Sequence, residues 1–214
     1  MNKLFFSFIL ITVTLSAVFT SCNKDDDEYS SPTPFSGGLS GVIEGEYASW
    51  DFVGISFGGG DIVETTPIID GKFTFSSLPT PKPEDLAPFI ESEEVPINIQ
   101  ISDKDAKICS ISLLAIKGEV GASYEGRGIV QGDYVYPNSV NMFMYYYADK
   151  DLKVKGSWSG TNIGVKFSSE ININLKRGWN TLLLIIDSTE ENGQTTTLKN
   201  GIPPTGNPWT GIII

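Results

Sequence analysis

The sequence predicts an all-β fold, an antiparallel β-sandwich, and three observations predict it. Short runs that alternate apolar and polar residues recur at roughly 8–12-residue spacing, with Gly and Asp turn signals between them. No window holds a helical apolar period over more than about ten residues. The clearest run, residues 165–176, splits into two faces: Val165, Phe167, Ser169, Ile171, Ile173 and Leu175 against Lys166, Ser168, Glu170, Asn172, Asn174 and Lys176. One sandwich over residues 39–214 is the preferred arrangement. Two smaller sandwiches meeting near Gly118 are the alternative.

The elements follow in order. Residues 39–46 and 52–57 are short strands, split by Tyr47-Ala48-Ser49-Trp50. Gly58-Gly59-Gly60 is a loop. Residues 62–69 lead into Asp70-Gly71, a hairpin signal, because that pair accepts the positive φ of a tight turn. Lys72-Phe73-Thr74-Phe75 then puts both Phe on one face. Four prolines between Pro79 and Pro88 break the β rhythm, and Pro83 suits the start of a single helical turn over residues 84–87. Val95, Ile97, Ile99 and Ile101 alternate as a half-buried strand, with Pro96 at its start or on an edge. Residues 108–116 form the next strand, and residues 123–130 and 134–136 are weaker candidates.

Residues 140–148 are apolar on both faces and read as central. Asp149-Lys150-Asp151 turns the chain into a strand over 152–158. After the run at 165–176, Arg177-Gly178 turns it into residues 179–186. Five consecutive apolar residues there, 182–186, predict burial on both faces. A turn is expected over 189–193. A Pro- and Gly-rich tail closes on Trp209 and Ile212-Ile213-Ile214.

Ahead of the β region lies a leader. Met1-Asn2-Lys3 is a short basic start, and residues 4–19 are an apolar run shorter than the ~20 residues a spanning helix needs. Thr20 and Ser21 are small and polar, and Cys22 follows. This is the layout of a secretory signal peptide over residues 1–21. An acidic flank in place of a basic stop-transfer cluster disfavours the competing reading, a transmembrane anchor. Residues 22–38 read as a tether, acidic first and then rich in Pro, Ser and Gly.

Phe19-Thr20-Ser21-Cys22 resembles a bacterial lipobox. The resemblance implies that Cys22 is acylated and becomes the mature N-terminus. Lys24, Asp25, Asp26 and Asp27 resemble the acidic export signal of Bacteroidetes-type surface lipoproteins, which implies an outer-membrane, lipid-anchored protein displayed at the cell surface. The plainer reading of that run is a solvated tether. One acyl chain holds a protein only marginally and two hold it stably, so the membrane is a partner through the acyl chains on Cys22. Gly41-Val42-Ile43, the segment 70–75 and Leu78-Pro79 resemble the start of small transthyretin-like or immunoglobulin-like β-modules, across residues 41–79. That resemblance implies a scaffold and no activity.

Composition narrows the chemistry. The chain carries 26 acids against 15 bases, a net charge of −11, and removing the leader takes away Lys3 alone. Such a charge disfavours nucleic acid, anionic lipid and acidic polysaccharide as partners. About 190 residues remain after cleavage, enough for one sizeable core or two small ones. Of the two cysteines, lipid takes Cys22, so Cys109 has no intrachain partner. Its apolar surroundings read as those of a buried small hydrophobe.

The chain contains no histidine. Ser-His-Asp and Cys-His nucleophilic mechanisms and the common zinc sites are therefore excluded. Asp103-Lys104-Asp105 and Asp149-Lys150-Asp151 are the candidate calcium loops, but neither continues as an EF-hand, and both read as plain turns. No metal or cofactor is expected. Asp187-Ser188-Thr189 resembles the short O-glycosylation sequence of secreted Bacteroidetes-type proteins.

Aromatic side chains are the candidate binding groups, since exposed rings stack on the apolar faces of sugars. Trp158 leads, in its setting of Gly156, Ser157, Ser159 and Gly160; Trp50, Tyr145 and Tyr147 follow. Core or edge packing is the competing role for each. Trp179 opens the most apolar strand and reads as core.

The expected function is that of a cell-surface lipoprotein, a non-enzymatic binding or scaffold module for glycan or protein. Two alternatives stand beside it. One is a histidine-free carboxylate enzyme such as a glycoside hydrolase, which would need two facing carboxylates. The other is a structural or adhesive surface subunit that exchanges an edge strand, for which the Ile-rich C-terminus is the candidate.

Overall fold

The computed structural model describes residues 35, 37–89, 98–119, 124–135, 139–162, 165–189, 193–204, 206 and 208–211. The expected signal peptide, Cys22, the acidic run at Lys24 to Asp27 and nearly all of the expected tether lie outside the described residues. So do residues 95–97, the turn at 190–192 and residues 212–214.

In chain order the first strands are β1 (Leu39–Val42), β2 (Phe52–Phe57), β3 (Ile62–Pro67), β4 (Lys72–Phe75), β5 (Ala87–Pro88), β6 (Ile99–Ile101) and β7 (Lys107–Lys117). Then come β8 (Glu125–Val135), β9 (Ser139–Ala148), β10 (Leu152–Asn162), β11 (Val165–Leu175), β12 (Gly178–Thr189), β13 (Gly193–Asn200) and β14 (Trp209–Gly211). Two 3-10 turns, Glu46–Ser49 and Pro83–Asp85, complete the regular elements among the described residues. Pro83 takes the first helical position, as its fixed φ favours.

The fold is all-β. β1 and β4 form a small antiparallel sheet, and the remaining strands form a large, mostly antiparallel one. The large sheet runs β3-β2-β7-β8-β9-β12-β13-β11-β10-β6, with β14 added to β8 and β5 to β7. The two sheets make a sandwich. Leu39, Phe73 and Phe75 from the small sheet share a core with Val53, Ile55 and Leu113 from β2 and β7. A second apolar cluster joins Val154, Ile171, Ile173, Leu175 and Leu182 with Tyr146 at the other end of the sheet.

Several local expectations change. Asp70 and Gly71 do form the tight turn, with φ of 51° and 71°. Ile69 and Lys72 exchange both backbone hydrogen bonds across it, each 2.9 Å, so it is a hairpin tip of one rung; beyond that rung the strands part, β3 to β2 and β4 to β1, and the tip doubles as a corner between sheets. A hydrogen bond from Thr66 Oγ1 to Thr74 O, 2.8 Å, ties the corner. The two weak candidates after Gly118 are parts of one long strand, β8. Its first half pairs with β7 and its second half with β9, and β14 pairs across residues 129–131. Three glycines, Gly126, Gly128 and Gly132, hide its alternation.

β11 and β12 follow each other closely but do not pair. β13 lies between them, antiparallel to β12 and parallel to β11. Where β13 ends, the Asn200 carboxamide takes its place: Oδ1 accepts from Asn174 N at 2.7 Å and Nδ2 donates to Asn174 O at 3.1 Å. Burial in β12 also alternates more than expected. Leu182 and Leu184 are buried, whereas Leu183, Ile185 and Ile186 are only half-buried.

The first and last described segments join the first core. Phe35, placed in the tether by the sequence reading, packs edge-on against Tyr145 with ring centroids 5.3 Å apart. Trp209 in the tail is 1% exposed. Its indole lies on Gly41, where a Cβ would collide with the ring, and its carbonyl accepts from Glu44 N at 2.9 Å.

Candidate functional site: the polar face of β10, β11 and β13

Strand alternation sends every second side chain of a sheet to the same face. Across β10, β11 and β13 the register aligns Lys155, Asn172 and Lys199 in one row, and Ser157, Glu170 and Thr197 in the next. Ser159, Ser168 and Thr195 form the third row, and Thr161 and Lys166 the fourth. Ser157, Ser159, Ser168, Glu170 and Thr195 are exposed, and the adjoining Thr197 is half-buried. The two central rows, with Asn98 at the rim, line an open depression of about 510 Å³. Among its described lining residues the one carboxylate is Glu170; hydroxyl groups make up most of the rest.

The aromatic candidates lie elsewhere or face elsewhere. Trp158 borders this depression, but its cross-strand partner is Ser169, so it belongs to the opposite face and packs half-buried against the second core. Its glycine and serine neighbours therefore do not leave the indole uncovered. Trp50 is half-buried against the first core and meets Tyr47 edge-on, with centroids 4.9 Å apart. Tyr145 is 3% exposed, so it is a core residue and not an outward ring. Its hydroxyl donates to Gln131 Oε1 at 2.6 Å, and burial pushes the phenol well above its ordinary range. Tyr147 is half-buried and edge-on to Trp179. Trp179 itself packs at the margin of the first core, its Nε1 buried without a partner.

Other candidates resolve into structural roles. Cys109 is buried, and desolvation first, with the Asp85 charge second, pushes its thiol up to about 12. Asp103 Oδ1 accepts from Asp105 N at 2.9 Å, a turn bond within its own loop. Asp149 Oδ1 accepts from Lys107 N at 2.8 Å. Asp151 accepts from Lys176 Nζ at 2.7 Å and from Arg177 N at 3.0 Å, and these bonds, the lysine's first, hold its carboxyl below the usual range. Among the described residues, no three His, Cys, Asp or Glu come together as a metal site. Asp187-Ser188-Thr189 forms the end of β12 and pairs with β13, so it is strand and not loop.

The lysines of this face did not stand out in the sequence. Alternation shows the β11 half of the surface. The other half depends on β13 pairing in parallel with β11, and no local signal specifies that. Comparison with protein-family models, with curated proteins and with solved structures finds no match to the chain.

Proposed function

We propose that the protein is a surface lipoprotein, held in the outer membrane by acyl chains on Cys22, whose β-sandwich is a non-enzymatic module that binds a glycan or a protein partner. The observation that carries this reading is the lipobox-like Phe19-Thr20-Ser21-Cys22, followed by Lys24-Asp25-Asp26-Asp27 and an all-β body. A rigid sheet with an open polar face suits recognition of a flexible or extended ligand. The chemistry of the chain supports binding over catalysis. It has no histidine. Its Cys109 thiol is buried and held up to about 12, far from a working nucleophile. Among its described lining residues the depression carries one carboxylate where glycoside hydrolysis needs a pair.

The test is an array of glycans and surface proteins probed with the full-length protein in neutral detergent. Reproducible binding to a defined glycan or protein, without turnover of it, is the expected result. Cleavage of a bound glycan would replace this reading with the carboxylate-enzyme one.

A further inference from the structure

The strand β14 is held by groups from distant parts of the chain. It pairs antiparallel with β8, Thr210 opposite Val130. Its Trp209 carbonyl accepts from Glu44 N, just past the end of β1. β14 therefore lies between the small sheet and the large one. The Trp209 ring stacks on Tyr145, with centroids 6.0 Å apart, and meets Phe73 edge-on at 5.4 Å. Two glycines make the fit specific. A Cβ on Gly41 would strike the indole, and a Cβ on Gly211 would strike the ring of Tyr47.

The covalent link to this strand is built differently. Residues 201–208 separate β14 from β13 and hold three prolines and two glycines. Pro203-Pro204 favours stiff, extended backbone over a compact turn. Ile202, in the same segment, is 75% exposed, the most exposed of the described large apolar side chains. The strand is thus well seated, on a linker that leaves apolar surface in water.

We infer that β14 is exchanged between two copies of this chain, each strand filling the other copy's slot; this rests on reading the sandwich as a module with a protein partner, and names that partner. The slot identifies its occupant. It accepts Trp209, Thr210 and Gly211 in register, and a second copy carries the same three residues. Exchange keeps every contact of β14 and changes the linker alone, so it costs little beyond bringing two copies together. A linker that runs on extended delivers β14 to a neighbour. Two such linkers side by side cover Ile202 on each copy, which the closed chain leaves exposed. An empty slot would open Tyr145 and Phe73, both buried, to water. The exchange is therefore reciprocal and closes as a two-fold dimer. Anchoring at a membrane favours it further, because confinement raises the local concentration of copies.

The experiment puts one cysteine on each side of the pairing, Val130→Cys with Thr210→Cys, in the full-length protein in neutral detergent. Both positions are half-buried and face away from the Trp209 ring, so the substitutions spare the slot. Cys109 is buried and stays out of the reaction. The protein is refolded from urea at rising concentration, bridged with a short bismaleimide, and run on a denaturing gel. A covalent dimer is expected, its share growing with the concentration at refolding. Either single-cysteine variant should stay monomeric. Inserting about eight Gly and Ser residues after Pro204 slackens the linker and should lower the dimer share at least fivefold. Bridges found only within single chains at every concentration overturn the inference. So does the same dimer from a single-cysteine variant, or a dimer unchanged by the insertion. No bridge of either kind would remove the pairing of β14 with β8, and the inference with it. The gel uses no glycan or other ligand, so its failure leaves the binding-module reading to its own array, and an array without a ligand leaves an exchanged dimer standing.

Discussion

The side chain of Asn180 closes a turn around the backbone of Lys176. Its Oδ1 accepts from Lys176 N at 2.8 Å, and its Nδ2 donates to Lys176 O at 2.7 Å and to Gly178 O at 2.9 Å. Asn180 is fully buried, 0% exposed. The arrangement answers a topological need, because β11 and β12 are held apart by β13 and cannot satisfy each other at the turn that joins them.

Asn180→Ala should therefore cost about 1–3 kcal/mol, since it leaves backbone groups of Lys176 and Gly178 unpaired in a part-buried setting. Urea unfolding of the two proteins measures this. A loss below about 0.5 kcal/mol would show that water or a shifted backbone replaces the amide.

Trp209 gives a second prediction. Trp209→Ala empties the slot above Gly41 and should destabilise by about 3–5 kcal/mol. Trp158→Ala removes a half-buried ring at the edge of the second core and should cost less. Thermal melts of the pair order the two positions. A larger loss at Trp158 would contradict the burial that separates them.

Cys109 and Tyr146 predict how stability varies in alkali. Burial pushes both groups up to about 12 in the folded chain, against ordinary values of about 8.5 and 10. Between these values the unfolded chain loses protons that the folded chain keeps. Stability is therefore full below about pH 8.5 and falls as pH rises toward 12. Cys109→Ala should shift the start of that decline upward, which urea midpoints measured from pH 8 to 11 would detect. In the native protein at pH 8, Cys109 should also resist a thiol reagent that labels it quickly in urea.

The acidic run gives a fourth prediction. Replacing Asp25, Asp26 and Asp27 with Ala should leave acylation intact and abolish labelling of the protein on intact cells. Unchanged labelling would reduce the run to a solvated tether.

Local features were legible in the sequence and pairings were not. Alternation along β11 shows that Ile171, Ile173 and Leu175 are buried, and Phe73 and Phe75 lie inward as their spacing requires. Asp70-Gly71 shows a turn, but its residues do not show that the two strands go to different sheets. That choice depends on what covers each strand. Likewise, nothing near Gly193 or Asn200 reveals that β13 enters between β11 and β12. The polar face was half visible for this reason. Its lysines come from three strands, and only the register aligns Lys155 with Lys199. Trp209, in a tail rich in Pro and Gly, resembled a loop residue because the slot that buries it is built from distant segments.

Anchoring at the surface depends on where the mature chain begins and what it carries there. Intact-mass and peptide mass spectrometry of the full-length protein, purified from outer membranes of a lipoprotein-processing host, tests this directly. The predicted result is an N-terminal peptide that starts at Cys22 and bears acyl chains, with Cys22→Ser protein left unprocessed and unacylated. A mature chain that begins elsewhere, or Cys22 without lipid, would contradict the reading of this β-sandwich as a membrane-anchored surface module.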